Sequence, residues 1–141
     1  MPVRPGSLAW VRIPGVVYEQ MVDHARVEAP NECCGVIGGL DGAAATFYPA
    51  RNAFESPMRF EIDSGDQIRI TNEIESAGEQ LIAVYHSHPK TEAAPSQTDV
   101  NLAAWWPGVV WVIASLAGDE PVVRAFTIDG NEVEEVELLV G

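Results

Sequence analysis

Residues 85–89 read Tyr-His-Ser-His-Pro, and residues 95–99 read Pro-Ser-Gln-Thr-Asp. The first segment ends an apolar run over residues 81–88 that has the character of a buried strand. Side chains alternate between the two faces of a strand, so residues two apart point the same way. The sequence therefore predicts that His86 and His88 present two imidazole groups to one point at the end of this strand.

A third candidate ligand follows on the next element. Residues 89–95 form a loop with two prolines, after which Ser96 opens a short helix and Asp99 lies one turn inside it. Imidazole is a common zinc ligand, and a catalytic zinc takes three protein ligands and keeps one open position for water. The spacing makes Asp99 the natural partner of His86 and His88 in such a site.

Each segment also has a plainer interpretation. Two histidines on a strand can be polar surface, and Ser96 with Asp99 is a helix capping box in which Asp99 bonds back to Ser96 without any metal. Taken together, at this spacing, the two segments fit a metal site better than either does alone.

The elements around these segments predict one domain, residues 1–141, of the α/β (α+β) class, with helices against one curved mixed sheet. Asp41-Gly42 and Asp129-Gly130 are hairpin turn signals, and Ser64 with Gln67 is a capping-box pattern that starts the second helix. The expected helices are residues 14–28, 65–77 and 96–104. The expected strands are residues 8–13, 33–39, 43–49, 59–62, 81–88, 109–115, 121–128 and 132–139.

Composition excludes several classes of partner. The net charge is -13 and only 8 residues are Lys or Arg, so nucleic acid is not an expected partner. No apolar stretch of about 18 residues predicts a membrane span, and residues 1–6 lack the apolar core of a signal peptide. The adjacent Cys33 and Cys34 fit a reducing compartment, so a cytoplasmic protein is expected. This pair could be redox-active or bind metal, but the favoured interpretation is two small buried hydrophobic residues.

The pattern His-x-His, seven residues, then Ser-x-x-Asp resembles the signature of the JAMM (MPN-plus, JAB-domain) metallopeptidases. Residues 32–35, Glu-Cys-Cys-Gly, stand where that family has an upstream glutamate beside a Cys-Gly pair. The resemblance implies one Zn²⁺ per chain, bound by the residues quoted above, and a cytidine-deaminase-like layered fold. It also implies that Glu32 is the catalytic base and that Ser96 stabilises the oxyanion. From the sequence alone, Glu32 would otherwise be taken as one of many solvated acids.

The resemblance also implies a substrate class. JAMM enzymes cleave peptide or isopeptide bonds after the C-terminal tail of ubiquitin or a ubiquitin-like protein. Residues 60–65 and 93–96 resemble the compact bacterial branch, whose members trim ubiquitin-fold sulfur-carrier proteins after a Gly-Gly end, in sulfur transfer and cysteine synthesis. A Gly-Gly-tailed protein of this kind is therefore the expected partner.

Two alternatives stay open beside this expectation, and a third is excluded by its motifs. A non-catalytic MPN scaffold typically lacks metal ligands, whereas here every ligand position is filled. A zinc deaminase requires His-x-Glu with Pro-Cys-x-x-Cys, and the sequence has neither motif. A JAMM peptidase acting on another substrate, such as a general deconjugase or an enzyme for cell-wall or phage-tail peptides, would have the same site.

Overall fold

The computed structural model describes residues 10–141. Positions 8 and 9 of the first expected strand, and residues 1–6, lie outside the described residues. The helices are α1 (Gly15–Glu28), α2 (Ser64–Ser76) and α3 (Gln97–Leu102), and α3 continues as a 3-10 turn, Ala103–Trp105. The strands are β1 (Trp10–Ile13), β2 (Cys34–Leu40), β3 (Ala43–Ala50), β4 (Gln80–His88), β5 (Val110–Ser115), β6 (Val122–Asp129) and β7 (Glu132–Val140).

The seven strands form one mixed sheet in the order β1-β3-β2-β4-β5-β6-β7. The β2–β3, β2–β4, β5–β6 and β6–β7 pairs are antiparallel, whereas β4 and β5 run parallel. Strand β1 pairs in parallel with both β3 and β7, so the sheet closes into a barrel. The expected mixed α/β class with a curved sheet is confirmed. The closure of this sheet into a barrel was not part of the prediction.

Local sequence explains the β2–β3 hairpin and the first helix. Asp41 and Gly42 have φ values of 53 and 79°, the left-handed geometry that a tight hairpin turn needs. Helix α1 follows Pro14, and its buried face consists of the four residues expected from the periodicity: Val17, Met21, Val22 and Ala25.

The sheet separates two apolar clusters, and the alternation along β4 decides which side receives the histidines. Ala83 and Tyr85 belong to the cluster that packs against α1, whereas Val84 belongs to the cluster that packs against α2. His86 and His88 share the parity of Val84. The two imidazoles therefore lie on the side of the sheet where α2 and α3 pack.

Two expectations on the segment before α2 were wrong. Residues 59–62 show the alternation of a strand, with Phe60 and Ile62 buried, but among residues 10–141 their ladder pairing is limited to an isolated bridge between Asn52 and Ile62. Backbone hydrogen bonds on either side of the bridge and the Asn52 side chain complete this short contact, which does not extend into a strand. Helix α2 is capped by Asp63 rather than Ser64, because the Asp63 carboxylate accepts the Asp66 N–H at 3.1 Å.

Within residues 10–141, none of the helices combines the length and the apolar character that crossing a bilayer requires.

Candidate metal centre

His86 and His88 stand at the end of β4, and their rings converge. The two Nε2 atoms are 3.1 Å apart. Neither residue is more than 3% exposed. The predicted convergence of the two imidazoles is therefore confirmed.

Asp99 reaches the same place from the first turn of α3. Its Oδ2 lies 3.0 Å from Nε2 of His86 and 3.1 Å from Nε2 of His88. The capping box is present as well, because Ser96 N–H donates to the same Oδ2 at 3.0 Å and Asp99 N–H donates to the Ser96 hydroxyl oxygen at 3.1 Å. The box therefore holds the carboxylate in the orientation that brings it to the imidazoles.

The tautomer of His88 indicates that a proton or a cation belongs between His88 and Asp99. Nδ1 of His88 lies 2.8 Å from the Glu92 carbonyl oxygen, which can only accept, so Nδ1 carries the hydrogen. Nε2 of the neutral ring then presents a lone pair to Oδ2 of Asp99, which is also an acceptor. Two acceptors at this distance repel unless a proton or a metal cation lies between them.

The titration behaviour of the cluster follows from the same contacts. Burial acts to raise the pKa of Asp99, but the charge of His86 and the hydrogen bonds from both histidines outweigh it and hold that pKa well below its ordinary value. Burial acts to lower the pKa of His88, but the hydrogen bonds to Asp99 and the Glu92 carbonyl leave it raised. The contacts thus favour the protonated form of His88 and keep the carboxylate of Asp99 ionised.

His86 is enclosed by aromatic rings. Its imidazole stacks on Phe60, with ring centroids 4.4 Å apart, and meets the edge of Trp111 at 5.8 Å. This burial lowers the pKa of His86. The neutral ring that results is the form that binds a metal ion.

Glu32 is fixed immediately before β2. Its N–H donates to the Ser56 carbonyl at 2.8 Å, and its carbonyl accepts from Nδ2 of Asn52 at 3.1 Å. The residue is 5% exposed, and its Oε1 has no hydrogen-bond partner among the described residues. The pKa of the carboxyl is raised to about 8, mainly by burial and to a smaller extent by the charge of Asp99, against an opposing effect of His88.

The four polar side chains lie close together without all touching. Ligand atoms of Glu32, His86, His88 and Asp99 all lie within 4.8 Å of one another. The histidines and Asp99 are in direct contact, whereas the Glu32 carboxylate makes no hydrogen bond to any of the three within the described residues. A separation of this kind suits a water molecule that the carboxylate contacts.

A pair of reciprocal hydrogen bonds ties the segment of Glu32 to the histidine strand. Cys33 N–H donates to the Ser87 hydroxyl at 2.8 Å, and Ser87 N–H donates to the Cys33 carbonyl at 3.1 Å. Ser87 lies between the two histidines and is fully buried. It thereby fixes the residue after Glu32 against the strand that carries the imidazoles.

The donor set fits a divalent metal ion. Two imidazole nitrogens and one carboxylate oxygen form a triangle with sides of 3.0 to 3.1 Å. Ligand atoms of a tetrahedral zinc site, with bonds of about 2.0–2.1 Å, lie about 3.3 Å apart, which is close to this spacing. Two donors of the triangle are themselves oriented, His88 by the Glu92 carbonyl and Asp99 by the Ser96 N–H, as is usual for metal ligands.

The two cysteines lie outside this group of four. Both are buried free thiols, with Cys33 Sγ 3.4 Å from the Tyr85 hydroxyl and Cys34 Sγ 3.9 Å from the Ala50 carbonyl oxygen. Burial raises the pKa of Cys33 to about 11 and that of Cys34 further still. Thiols held neutral in this way support the packing interpretation over a redox or metal role.

Sequence reasoning missed three contributors to the site: Asn52, the Glu92 carbonyl and Phe60. The Asn52 side chain donates to the Glu32 carbonyl, and the Glu92 carbonyl contacts His88, each from an irregular segment, and such contacts leave no periodic signal. Phe60 did have a signal, because the alternation over residues 59–62 already marked it as buried. The alternation could not show that Phe60 stacks on His86.

Comparison with known proteins gives consistent results. The family model described as prokaryotic homologs of the JAB domain matches residues 14–129. The chain is 40% identical over 139 residues to the CysO-cysteine peptidase of Mycobacterium tuberculosis, which covers 96% of this chain and 94% of that protein. It is 35% identical over 130 residues to a desampylase of Haloferax volcanii, covering 86% of this chain and 90% of that protein.

A solved structure resembles most of this chain. The solution structure of protein DSY2949 from Desulfitobacterium hafniense superposes with a TM-score of 0.85 at 34% sequence identity. The match covers 93% of this chain and 92% of that one.

Proposed function

The chain belongs to the family of prokaryotic homologs of the JAB domain, and from that premise we propose that it is a zinc-dependent hydrolase. Its reaction is the cleavage of a peptide or isopeptide bond after the C-terminal Gly-Gly tail of a ubiquitin-fold sulfur-carrier protein. The observation that carries the proposal is the triangle of Nε2, Nε2 and Oδ2 atoms, 3.0 to 3.1 Å on a side, with a buried carboxylate beside it.

His86, His88 and Asp99 are proposed as the metal ligands. Two imidazoles and one carboxylate leave one coordination position open, which is the arrangement of catalytic rather than structural zinc sites. Zinc is preferred over magnesium or calcium because those ions select oxygen ligands. When bound, the ion supplies the Lewis acidity that activates a water and polarises the carbonyl of the scissile bond.

Glu32 is proposed as the base that moves the protons. Its carboxylate is buried, its Oε1 is unpartnered among the described residues, and it stands within 4.8 Å of the other donors without bonding to them. It can therefore take a proton from the attacking water and deliver it to the leaving amine. Burial raises the pKa of this carboxyl to about 8 when no metal is bound, and a cation bound beside it would lower that pKa toward the ionised form that a base requires.

Ser96 is proposed to stabilise the oxyanion while it also caps α3. Its oxygen accepts the Asp99 N–H, but this hydrogen bond leaves the hydroxyl hydrogen free to donate. A donor aimed at the developing negative charge lowers the barrier to acyl transfer. The two roles of Ser96 are thus compatible.

The substrate class is supported by what similar proteins are named for. The relatives are named a CysO-cysteine peptidase and a desampylase, at 40% and 35% identity over most of this chain. We extend from these names, and from the motifs in residues 60–65 and 93–96, to a ubiquitin-fold carrier as the substrate. We also propose that this protein resides in the cytoplasm, because its two free cysteines fit a reducing compartment.

The test is hydrolysis of a ubiquitin-fold carrier protein that bears a C-terminal extension after Gly-Gly, followed by intact mass. Purified protein with stoichiometric zinc should release the extension, and Glu32→Gln should keep the zinc but lower turnover at least about 100-fold. A Glu32→Gln protein with near-full turnover would remove the residue from its role. Wild-type protein without zinc or turnover would favour the scaffold alternative.

A further inference from the structure

Residues 89–95 connect the strand that carries His88 to the helix that carries Asp99, and they supply the carbonyl that orients His88. The Glu92 carbonyl oxygen lies 2.8 Å from Nδ1 of His88. In the part of the chain that the structure describes, two hydrogen bonds tie residues 89–95 to the rest of the protein, and this contact is one of them. The position of the Glu92 carbonyl therefore depends on what holds the remainder of the loop.

The second hydrogen bond comes from Ser115, the last residue of β5. Strand β5 runs parallel to β4, and its register places Ser115 beside His88. The Ser115 hydroxyl donates to the Thr91 carbonyl at 2.5 Å and accepts the Ala117 N–H at 3.2 Å. Ser115 is 4% exposed, whereas Thr91 is exposed. A buried hydroxyl thus reaches from the sheet to a loop that lies at the surface.

Packing restrains this loop only weakly. Lys90, Thr91 and Glu92 are all exposed, and Ala93, which is buried, contributes a single methyl group. A segment with few buried apolar contacts is among the first to open locally. The Thr91 carbonyl belongs to the peptide unit directly before that of the Glu92 carbonyl, so holding the first limits the orientations of the second.

The orientation of the Glu92 carbonyl matters because His88 is a proposed metal ligand. The acceptor at the second ring nitrogen of such a histidine fixes the tautomer and the plane of the ring. Loss of an acceptor of this kind costs about 10- to 100-fold in metal affinity. A residue that holds the acceptor in place contributes to metal binding without contacting the ion.

We infer that Ser115 is a positioning residue for the metal centre, and that it holds residues 89–95 so that the Glu92 carbonyl orients His88. Ser115 lies outside the group of four polar side chains. Its effect passes through two carbonyl groups of the loop backbone, those of Thr91 and Glu92. The inference rests on the proposed function, because it presupposes that His88 binds zinc through Nε2.

The experiment measures the zinc dissociation constant of the full chain by competition with a chromophoric chelator. Ser115→Ala removes the hydroxyl and keeps the backbone pairing of β5 with both neighbouring strands, so the variant should fold. Thr91 and Ala117 are exposed, so water can replace the lost partner of each. Because Ser115 acts through the loop, we expect the dissociation constant to rise about 3- to 10-fold, at or below the lower end of the range for a direct partner.

Two control variants separate this effect from general destabilisation. Thr91→Ala changes the exposed side chain of the residue that Ser115 holds, but keeps the carbonyl that accepts the hydrogen bond. Tyr48→Phe removes a hydrogen bond of 2.6 Å to Glu79, outside the group of four. Both controls should bind zinc with the wild-type dissociation constant.

The proton on Nδ1 of His88 gives a second measurement, by NMR. While this proton is hydrogen-bonded to the Glu92 carbonyl, its resonance lies downfield and exchanges slowly with water. In zinc-loaded Ser115→Ala the resonance should move upfield or broaden, and in both controls it should stay in place. A role of Ser115 in stability alone would not move it.

Each result bears on a different statement. A Ser115→Ala protein with the wild-type dissociation constant, or one that Tyr48→Phe matches in its loss of affinity, would overturn the inference and leave the ligand set intact. Weaker zinc binding with an unchanged Nδ1 proton would overturn the route through Glu92. Wild-type protein that binds no zinc would contradict the proposed function, and the Nδ1 proton of the metal-free chain would still decide whether Ser115 holds the Glu92 contact.

Discussion

Replacing Ser87 by alanine tests whether the hydrogen bonds between Cys33 and Ser87 of β4 position Glu32. Ser87 is fully buried, and its hydroxyl accepts the Cys33 N–H at 2.8 Å. The substitution removes one oxygen atom and leaves that N–H in the interior without its acceptor. The reciprocal bond, from Ser87 N–H to the Cys33 carbonyl, belongs to the backbone and stays.

Two magnitudes follow from this geometry. A buried donor left unsatisfied costs about 1–3 kcal/mol, so the free energy of unfolding should fall by that amount. The segment before β2 can relax the lost bond by moving, and a misplacement of about 1 Å at a reacting group costs up to about 100-fold in rate. We therefore expect kcat for Ser87→Ala to fall about 10- to 100-fold, with zinc content unchanged because no ligand is altered.

The assay combines urea unfolding, zinc content by mass spectrometry, and turnover of a Gly-Gly-extended carrier. Tyr48→Phe is the matched control, because it removes a hydrogen bond of 2.6 Å to Glu79, outside the group of four. The control should lose about 1 kcal/mol of stability and keep its kcat. Ser87→Ala with wild-type kcat, at a stability loss equal to that of the control, would refute the positioning role.

Two further predictions concern the metal and the carboxyl group. His88→Ala should lower zinc occupancy and turnover together, and a chelator should do the same to the wild type reversibly; a fully metallated, active variant would exclude His88 as a ligand. In the metal-free protein the pKa of the Glu32 carboxyl is raised from 4.5 to about 8. Between these two pH values the folded protein holds a proton that the unfolded chain has lost, so the free energy of unfolding falls as pH rises through this range. Urea unfolding at pH 5 and pH 8 should show a smaller loss for metal-free Glu32→Gln than for wild type, and equal losses would contradict the raised pKa.

Most of the fold could be predicted because its signals are local. Residues close together in the sequence are enough to predict several elements. They include α1 from its apolar periodicity, the hairpin from the Asp41-Gly42 turn, and β4 and β5 from their apolar runs. The failures needed distant information. Residues 59–62 have a strand's alternation, but within the described part of the chain their ladder pairing is limited to one bridge, between Ile62 and the distant Asn52.

Closure of the barrel could not be predicted from the sequence, for a similar reason. It depends on β1 pairing with β7, whose residues stand more than a hundred positions apart, as in the register of Trp10 with Glu137. Nothing in the composition of either strand specifies the other as its neighbour. The pairing follows from the twist accumulated over the intervening strands, which is a property of the assembled sheet.

The site shows why two interpretations that compete in the sequence need not compete in the molecule. From the sequence, Ser96 and Asp99 were either a capping box or part of a metal site. In the structure Oδ2 of Asp99 accepts the Ser96 N–H and also contacts both imidazoles, so one oxygen serves both arrangements. A carboxylate held by the cap loses less conformational freedom when it binds a cation than a free one would. The cap is therefore the means by which a short helix delivers a third donor to a strand that already carries two. The Ser96 N–H that holds Oδ2 belongs to the backbone, so Ser96→Ala should weaken the first turn of α3 but leave this contact of Asp99 in place.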